Sequence, residues 1–249
     1  MHHLLRNKIK PIALIATCFA FLATTKAQEK QIYRAEDNDL PYYFGITLGY
    51  NSTYLSPTMS SKFVNNKPYQ DSVLVARPGA SGGITLGFLG TLRLSDHIQL
   101  RINPQLVLGG ARNFTYTLND TLIAVGEPVT VTKTLPSTLV SLPIHIKFNS
   151  DRIDNFRFYV LGGVRFDKDL SSNSASRNME GLLKLKGTDF GLETGVGCNF
   201  FLPFVTISPE IKFSYGLTDL NQRDPNLKYS AVFDKIQSRM ITFSLHFED

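Results

Sequence analysis

The feature that most constrains this chain is a strict two-residue alternation of apolar and polar side chains, sustained over strand-length segments and repeated eight times. In IQLRINPQLVLGG, residues Ile98, Leu100, Ile102, Leu106 and Leu108 share one side of an extended strand, and Gln99, Arg101, Asn103 and Gln105 share the other. A period of two is the signature of β-structure with unlike media on its two faces. The other seven segments begin near Tyr43, Gly83, Leu139, Phe156, Asp189, Val205 and Met240. Each reaches, or nearly reaches, the ~9–11 residues that a tilted strand needs to cross a bilayer.

Connections alternate in length. Short turns fall near Ser95–His97, Ser150–Asn155 and Leu202–Phe204, and long polar stretches fill Leu55–Ser81, Arg112–Leu135, Lys168–Thr188 and Thr218–Gln237. That is a meander with its long loops at one end. The stretch TVTKTL within the second long loop is itself strand-prone and predicts a hairpin rising above the membrane.

Alternation does not by itself say which face meets the core, because a soluble barrel with an apolar interior has the same period. The composition of the faces decides. The polar face carries charges of both signs in mid-strand, Arg101, Lys147, Arg157, Arg165, Glu193, Glu210 and Lys212, interspersed with Gly, Ser and Thr. The apolar face is almost free of charge, and a charge at a lipid-facing mid-barrel position would cost about 2–4 kcal/mol. Tyr42, Tyr43, Tyr54, Phe148, Phe156, Phe200, Phe204, Phe243 and Phe247 gather toward strand ends like interfacial girdles, in a chain with no Trp. The reading is therefore all-β: an eight-stranded antiparallel up-and-down transmembrane β-barrel with short periplasmic turns and long extracellular loops. Its apolar side faces lipid. Eight strands leave an interior about wide enough for side chains, so the lumen charges are expected to form a structural polar network; a narrow ion path along them is the alternative.

The beginning of the chain fits export. Arg6, Lys8 and Lys10 precede the apolar run PIALIATCFAFLATT, and Ala27 supplies a small residue for cleavage, so residues 1–27 read as a signal peptide. Residues 28–41 then form a short periplasmic segment, and 42–249 form the barrel, with both its termini on the periplasmic side. The leader holds four of the 26 basic residues and no acid, which leaves 22 basic against 21 acidic residues afterwards. Such a balance gives no nucleic-acid surface.

Chemistry-bearing patterns are sparse. Outside the leader, Cys198 is the one cysteine, and His97, His145 and His246 lack partners at metal-ligand spacing. Ser141 with His145, and His246 with Glu248, are accounted for by sharing a strand face, and the glycine-rich pieces GASGGITLG and GVGCNF lie in strands rather than at a strand-to-helix turn. No catalytic residue, cofactor, metal or small-molecule substrate is expected.

Finally, DRIDNFRFYVLGGVRFDKDLSS (Asp151 to Ser172), KGTDFGLETGVGCNFFLPFVTISPEIKFSYGL (Lys186 to Leu217) and FDKIQSRMITFSLHFE (Phe233 to Glu248) resemble the PorT family, called SprT in gliding bacteria, and YYFGITLGYN (Tyr42 to Asn51) looks like its first strand. The resemblance implies an outer-membrane component of Bacteroidetes-type bacteria. It would be required for type IX secretion of cargo with a C-terminal sorting domain and, in gliding members, of surface adhesins for gliding motility. Its partners would be outer-membrane lipid and other proteins of the secretion machine. The competing reading is a general structural or adhesive outer-membrane barrel of OmpX/OmpA-like type.

Overall fold

In a computed structural model, the described residues are 31–34, 40–59, 73–109, 112–118, 130–135, 137–171, 185–222 and 233–249. The expected signal peptide (1–27), part of the expected periplasmic segment and portions of the long loops lie outside them.

Twelve strands form: β1 (Tyr42–Met59), β2 (Val73–Gly79), β3 (Ser81–Arg93), β4 (Ile98–Ile102), β5 (Gln105–Gly109), β6 (Arg112–Leu118), β7 (Thr130–Leu135), β8 (Thr138–Asn149), β9 (Phe156–Asp169), β10 (Thr188–Phe201), β11 (Thr206–Gly216) and β12 (Phe233–Glu248). β4 and β5 act as one wall strand. Pro104 has no N–H to return to Phe88, and Pro143 none to return to Asn103, so each pair keeps one bond (Phe88 N to Pro104 O, 3.0 Å; Asn103 N to Pro143 O, 3.1 Å), and Ile102↔Ile144 and Gln105↔Ser141 keep a single register against β8. Counted so, eight antiparallel wall strands close a ring, because β1 pairs with both β12 and β3. Closure leaves no wall strand with an unpaired edge, which is what a bilayer demands.

Side chains fall on the sides that the alternation predicts. Ile46, Leu86, Ile144, Val164, Leu192, Phe213 and Phe243 are exposed on the outer wall, and Phe88 is 73% exposed. Thr47, Arg101, His145, Lys147, Glu193 and Lys212 are buried in the lumen. Tyr43 departs from the expected girdle: it is half-buried, and its hydroxyl donates to Gln99 Oε1 (2.8 Å) in the short-turn mouth.

Above the lipid-facing band the polarity of the alternation reverses. In the upper β1–β12 ladder, which runs to Met59↔Phe233, Leu55, Ile236 and Phe233 point inward and are buried, and Thr58 and Asp234 point outward and are exposed. Water replaces lipid there, so the rule of a soluble β-structure takes over. The sequence reading ended these two strands too early for that reason. The expected hairpin exists as β6 and β7, and β2 joins it in a three-stranded sheet. Phe114 and Tyr116 of β6 are fully buried beside Phe233, with Phe114 5.4 Å from it between ring centroids.

At the opposite end, where β1 begins and β12 ends, the turns 94–97, 150–155 and 202–205 are short. Arg152 ties Tyr33 and Arg34 to this end by donating to both carbonyls, and the Tyr33 N–H donates to Asn155 Oδ1 (2.8 Å).

Candidate functional site

The lumen is the one place where the chain concentrates chemistry, and its contents form two layers. In the layer nearer the short turns, Arg101 from β4 bridges two carboxylates, with Nη1 2.8 Å from Glu210 Oε2 and Nη2 2.7 Å from Glu248 Oε1. The Tyr159 hydroxyl donates to the same Glu210 Oε2 at 2.8 Å. Glu210 Oε1 faces His246 Nε2 at 3.2 Å and Lys212 Nζ at 3.6 Å. Lys147 stands 4.0 Å over the Tyr159 ring and donates to Asn199 Oδ1 at 3.3 Å.

The second layer centres on Arg165 of β9. Its Nε lies 2.9 Å from Asp167 Oδ2, and Nη2 and Nη1 lie 3.8 and 3.9 Å from Asp189 and Glu193. Glu193 also receives the Ser214 hydroxyl and sits 2.6 Å from His145 Nε2. Ser238 Oγ donates to Asp189 Oδ2. Buried charges are costly unless paired and hydrogen-bonded; Arg101 meets that demand with hydrogen bonds to Glu210 and Glu248, whereas Lys212 Nζ and Arg165 Nη1 face their carboxylates at 3.6 and 3.9 Å without a hydrogen bond.

Small residues make room for these groups. Across the ladders, Arg165 lies between Pro143 and Gly191, Tyr159 between Asn149 and Gly197, Lys212 between Gly195 and Thr242, and Glu248 between Gly45 and Thr206. A Cβ on Gly197 would fall 2.5 Å from the Tyr159 ring and 2.8 Å from the Pro209 carbonyl oxygen, so glycine is required there.

Of the seven charges singled out in the sequence, Arg101, Lys147, Arg165, Glu193, Glu210 and Lys212 are buried in these layers. Arg157, on the same inward face, is half-buried at the short-turn mouth, its guanidinium 5.8 Å from the Phe201 ring centroid. Tyr159, Asp167, Asp189, His145, His246 and Glu248 share the polar face of the alternation and also join the network. Their alternation was the available signal; partners across the lumen have no counterpart in local spacing.

The filling leaves little space. A cavity of about 20 Å³ at the short-turn mouth, lined by Tyr43, Gln99, Arg157, Asn199 and Glu248 among others, has room for roughly one water. Toward the far end Leu55, Met240, Ile236, Leu220 and Phe114 are buried. Among the described residues no group of three His, Cys, Asp or Glu side chains is placed to hold a metal ion. His97, in a turn, faces Asp151 at 3.1 Å on the exposed surface.

Comparison with known proteins agrees with this architecture. The family described as "Outer membrane protein beta-barrel domain" matches residues 27–222. No curated protein matches the chain in sequence. Among solved structures, the chain is similar to Neisserial surface protein A at 10% identity, covering 82% of this chain and 96% of that one with a TM-score of 0.41. It is similar to Ail, the attachment invasion locus protein of Yersinia pestis, at 10% identity, with 84% and 100% covered and a TM-score of 0.39. The outer membrane protein OprG from Pseudomonas aeruginosa is 14% identical, with 82% and 96% covered and a TM-score of 0.38.

Proposed function

The chain belongs to the outer membrane protein beta-barrel domain family and is an integral outer-membrane barrel, and from that premise we propose that it serves as a non-enzymatic accessory barrel of the type IX secretion machine. The observation that carries an accessory role is the packed lumen: with Arg101, Glu210, Glu248, Tyr159 and Lys147 interlocked across it, a folded or extended cargo has no passage. A barrel of this kind acts through its ends. What supports the secretion machine in particular is the resemblance of the runs from Asp151, Lys186 and Phe233 to the PorT family.

In this reading the short turns, the Tyr33–Arg34 segment and both ends of the barrel lie on the periplasmic side, and the sheet of β2, β6 and β7 lies outside the cell. That orientation follows the general habit of such barrels, whose short turns are periplasmic. Residues 1–27 act as a cleaved leader.

Deleting the gene and following a cargo protein with a C-terminal sorting domain tests the proposal. Cargo accumulates in the periplasm if the role is right; normal export overturns it. The ordered outer sheet, anchored by Phe114 and Tyr116, favours the second reading of a general structural or adhesive barrel. In that case deletion alters envelope permeability or attachment and leaves export intact.

A further inference from the structure

One cation stands on the outer wall where the lumen network plays no part. Arg239 of β12 is flanked in the ladders by Tyr54 of β1 and Tyr215 of β11, both exposed. Its guanidinium lies 3.3 Å over the centre of the Tyr215 ring. Nη1 donates to the carbonyls of Ser238 (2.9 Å) and Gly216 (3.4 Å), and Nη2 reaches Gln237 Oε1 (3.5 Å). These acceptors are neutral. They fix the fork's orientation without cancelling its charge, and among the described residues no carboxylate is paired with it.

The height of Arg239 is defined in two independent ways. It marks the row at which the alternation reverses: Ile241 and Phe243 below it face lipid, and Ile236 above it faces inward. From Phe247 to Arg239 the strand advances about 26 Å at ~3.3 Å per residue, or about 20 Å along the barrel axis at a tilt near 40°. That places the guanidinium within about 5 Å of the far boundary of an apolar band ~25 Å tall, within reach of lipid head groups.

Directly beneath lies a groove of about 580 Å³ on the outer wall, lined by Leu192, Thr194, Phe213, Tyr215 and Ile241, with Tyr54 and Arg239 at its upper end. Next to Thr194, at its ladder partner Gly162, an added methyl group would meet nothing within 4 Å, so the wall is indented there too.

We propose that Arg239, held on Tyr215 above this groove, is the head-group end of a binding site for a phosphorylated lipid of the leaflet on the long-loop side, with one acyl chain lying in the groove. A planar guanidinium presents paired donors that suit phosphate oxygens, and the aromatic bed removes the entropy cost of ordering a long side chain. An apolar groove closed at its upper end by a cation is complementary to an anionic head group on a hydrocarbon chain. The site rests on the outer-membrane family and not on the secretion role, so either can fail without the other.

The test uses the full chain folded in non-ionic detergent and incubated with bis-phosphorylated lipid A or its dephosphorylated form, with retained lipid read by native mass spectrometry. The wild type is expected to retain the phosphorylated form at least about fivefold over the other, the effect of one well-placed cation. Arg239→Gln abolishes the preference, and Lys168→Gln, which removes an exposed outward cation at the same end of the wall, leaves it. Thr194→Phe, which fills the groove and spares Arg239, lowers retention of both forms. Equal retention by the wild type, a preference that survives Arg239→Gln, an equal loss in Lys168→Gln, or unchanged retention in Thr194→Phe each overturns the proposal.

Discussion

Replacing Glu210 by Gln is the sharpest probe of the lumen, because the side chain keeps its volume while it loses its charge and turns one acceptor oxygen into a donor. Cavity and transfer terms then nearly cancel, and what remains is electrostatic. Glu210 faces four groups: Arg101 and Tyr159 at 2.8 Å, His246 at 3.2 Å and Lys212 at 3.6 Å. In the variant Arg101 retains Glu248, but Lys212 and Tyr159 lose their shared anion while remaining buried. Removing one partner of a buried pair costs about 3–5 kcal/mol, which is a large part of the ~5–15 kcal/mol that holds a typical domain together. Urea unfolding in detergent micelles measures it, followed by far-UV circular dichroism since the chain has no Trp. The exposed pair Arg93–Asp96 supplies the control, as Asp96→Asn should cost at most about 1 kcal/mol. A ranking is also implied: Glu248→Gln, which gives up one ion pair within 4 Å, to Arg101 at 2.7 Å, where Glu210→Gln gives up three, should cost less than Glu210→Gln. A loss for Glu210→Gln no larger than that of the exposed control would refute the view that paired charges hold the lumen together.

Two further outcomes follow from the geometry. Gly197→Ala drives a methyl to within 2.5 Å of the Tyr159 ring, so the ring must leave Glu210; a loss of about 1–3 kcal/mol is expected from such overpacking, and no loss in the same urea titration would count against the ring's placement. Ile144→Arg puts a charge on the lipid-facing wall and should cost about 2–4 kcal/mol in lipid vesicles at mid-barrel depth; an unaffected unfolding midpoint would show that this face is not turned to lipid.

The wall was legible in the sequence because the bilayer imposes its own pattern: a residue such as Leu142 or Lys147 declares its side by what it could not tolerate on the other. The upper ends of β1 and β12 were not, because Leu55 and Ile236 follow the reversed rule of a strand in water. Two patterns of the same period and opposite phase meet at the Arg239 row, and a reading that holds one phase stops there. The joining of β2 to the β6–β7 hairpin was not legible either, since it pairs segments far apart in the chain. The same holds in the lumen. Alternation places Arg101 and Glu210 inside, but their contact spans 109 positions.

Alternation has a second blind spot, and the lumen fills it. A slip of one residue between neighbouring strands would turn every apolar side chain inward, but a slip of two keeps both faces intact. Something else must choose among the even registers. Sliding β10 by two against β9 would set Gly195 against Gly163, leaving a gap, and would set Glu193 beside Arg165 and Asn199 beside Tyr159, where Gly191 and Gly197 now make room. The native register instead seats Arg165 against Gly191, Leu161 against Gly195 and Tyr159 against Gly197. Large inward groups meet small ones, and the pairs Arg101–Glu210 and His145–Glu193, each joining different strands, close from those positions. Apolar residues on the outer wall determine that the chain enters a membrane as a barrel; the glycines and charges of the lumen determine which of the permitted barrels it becomes.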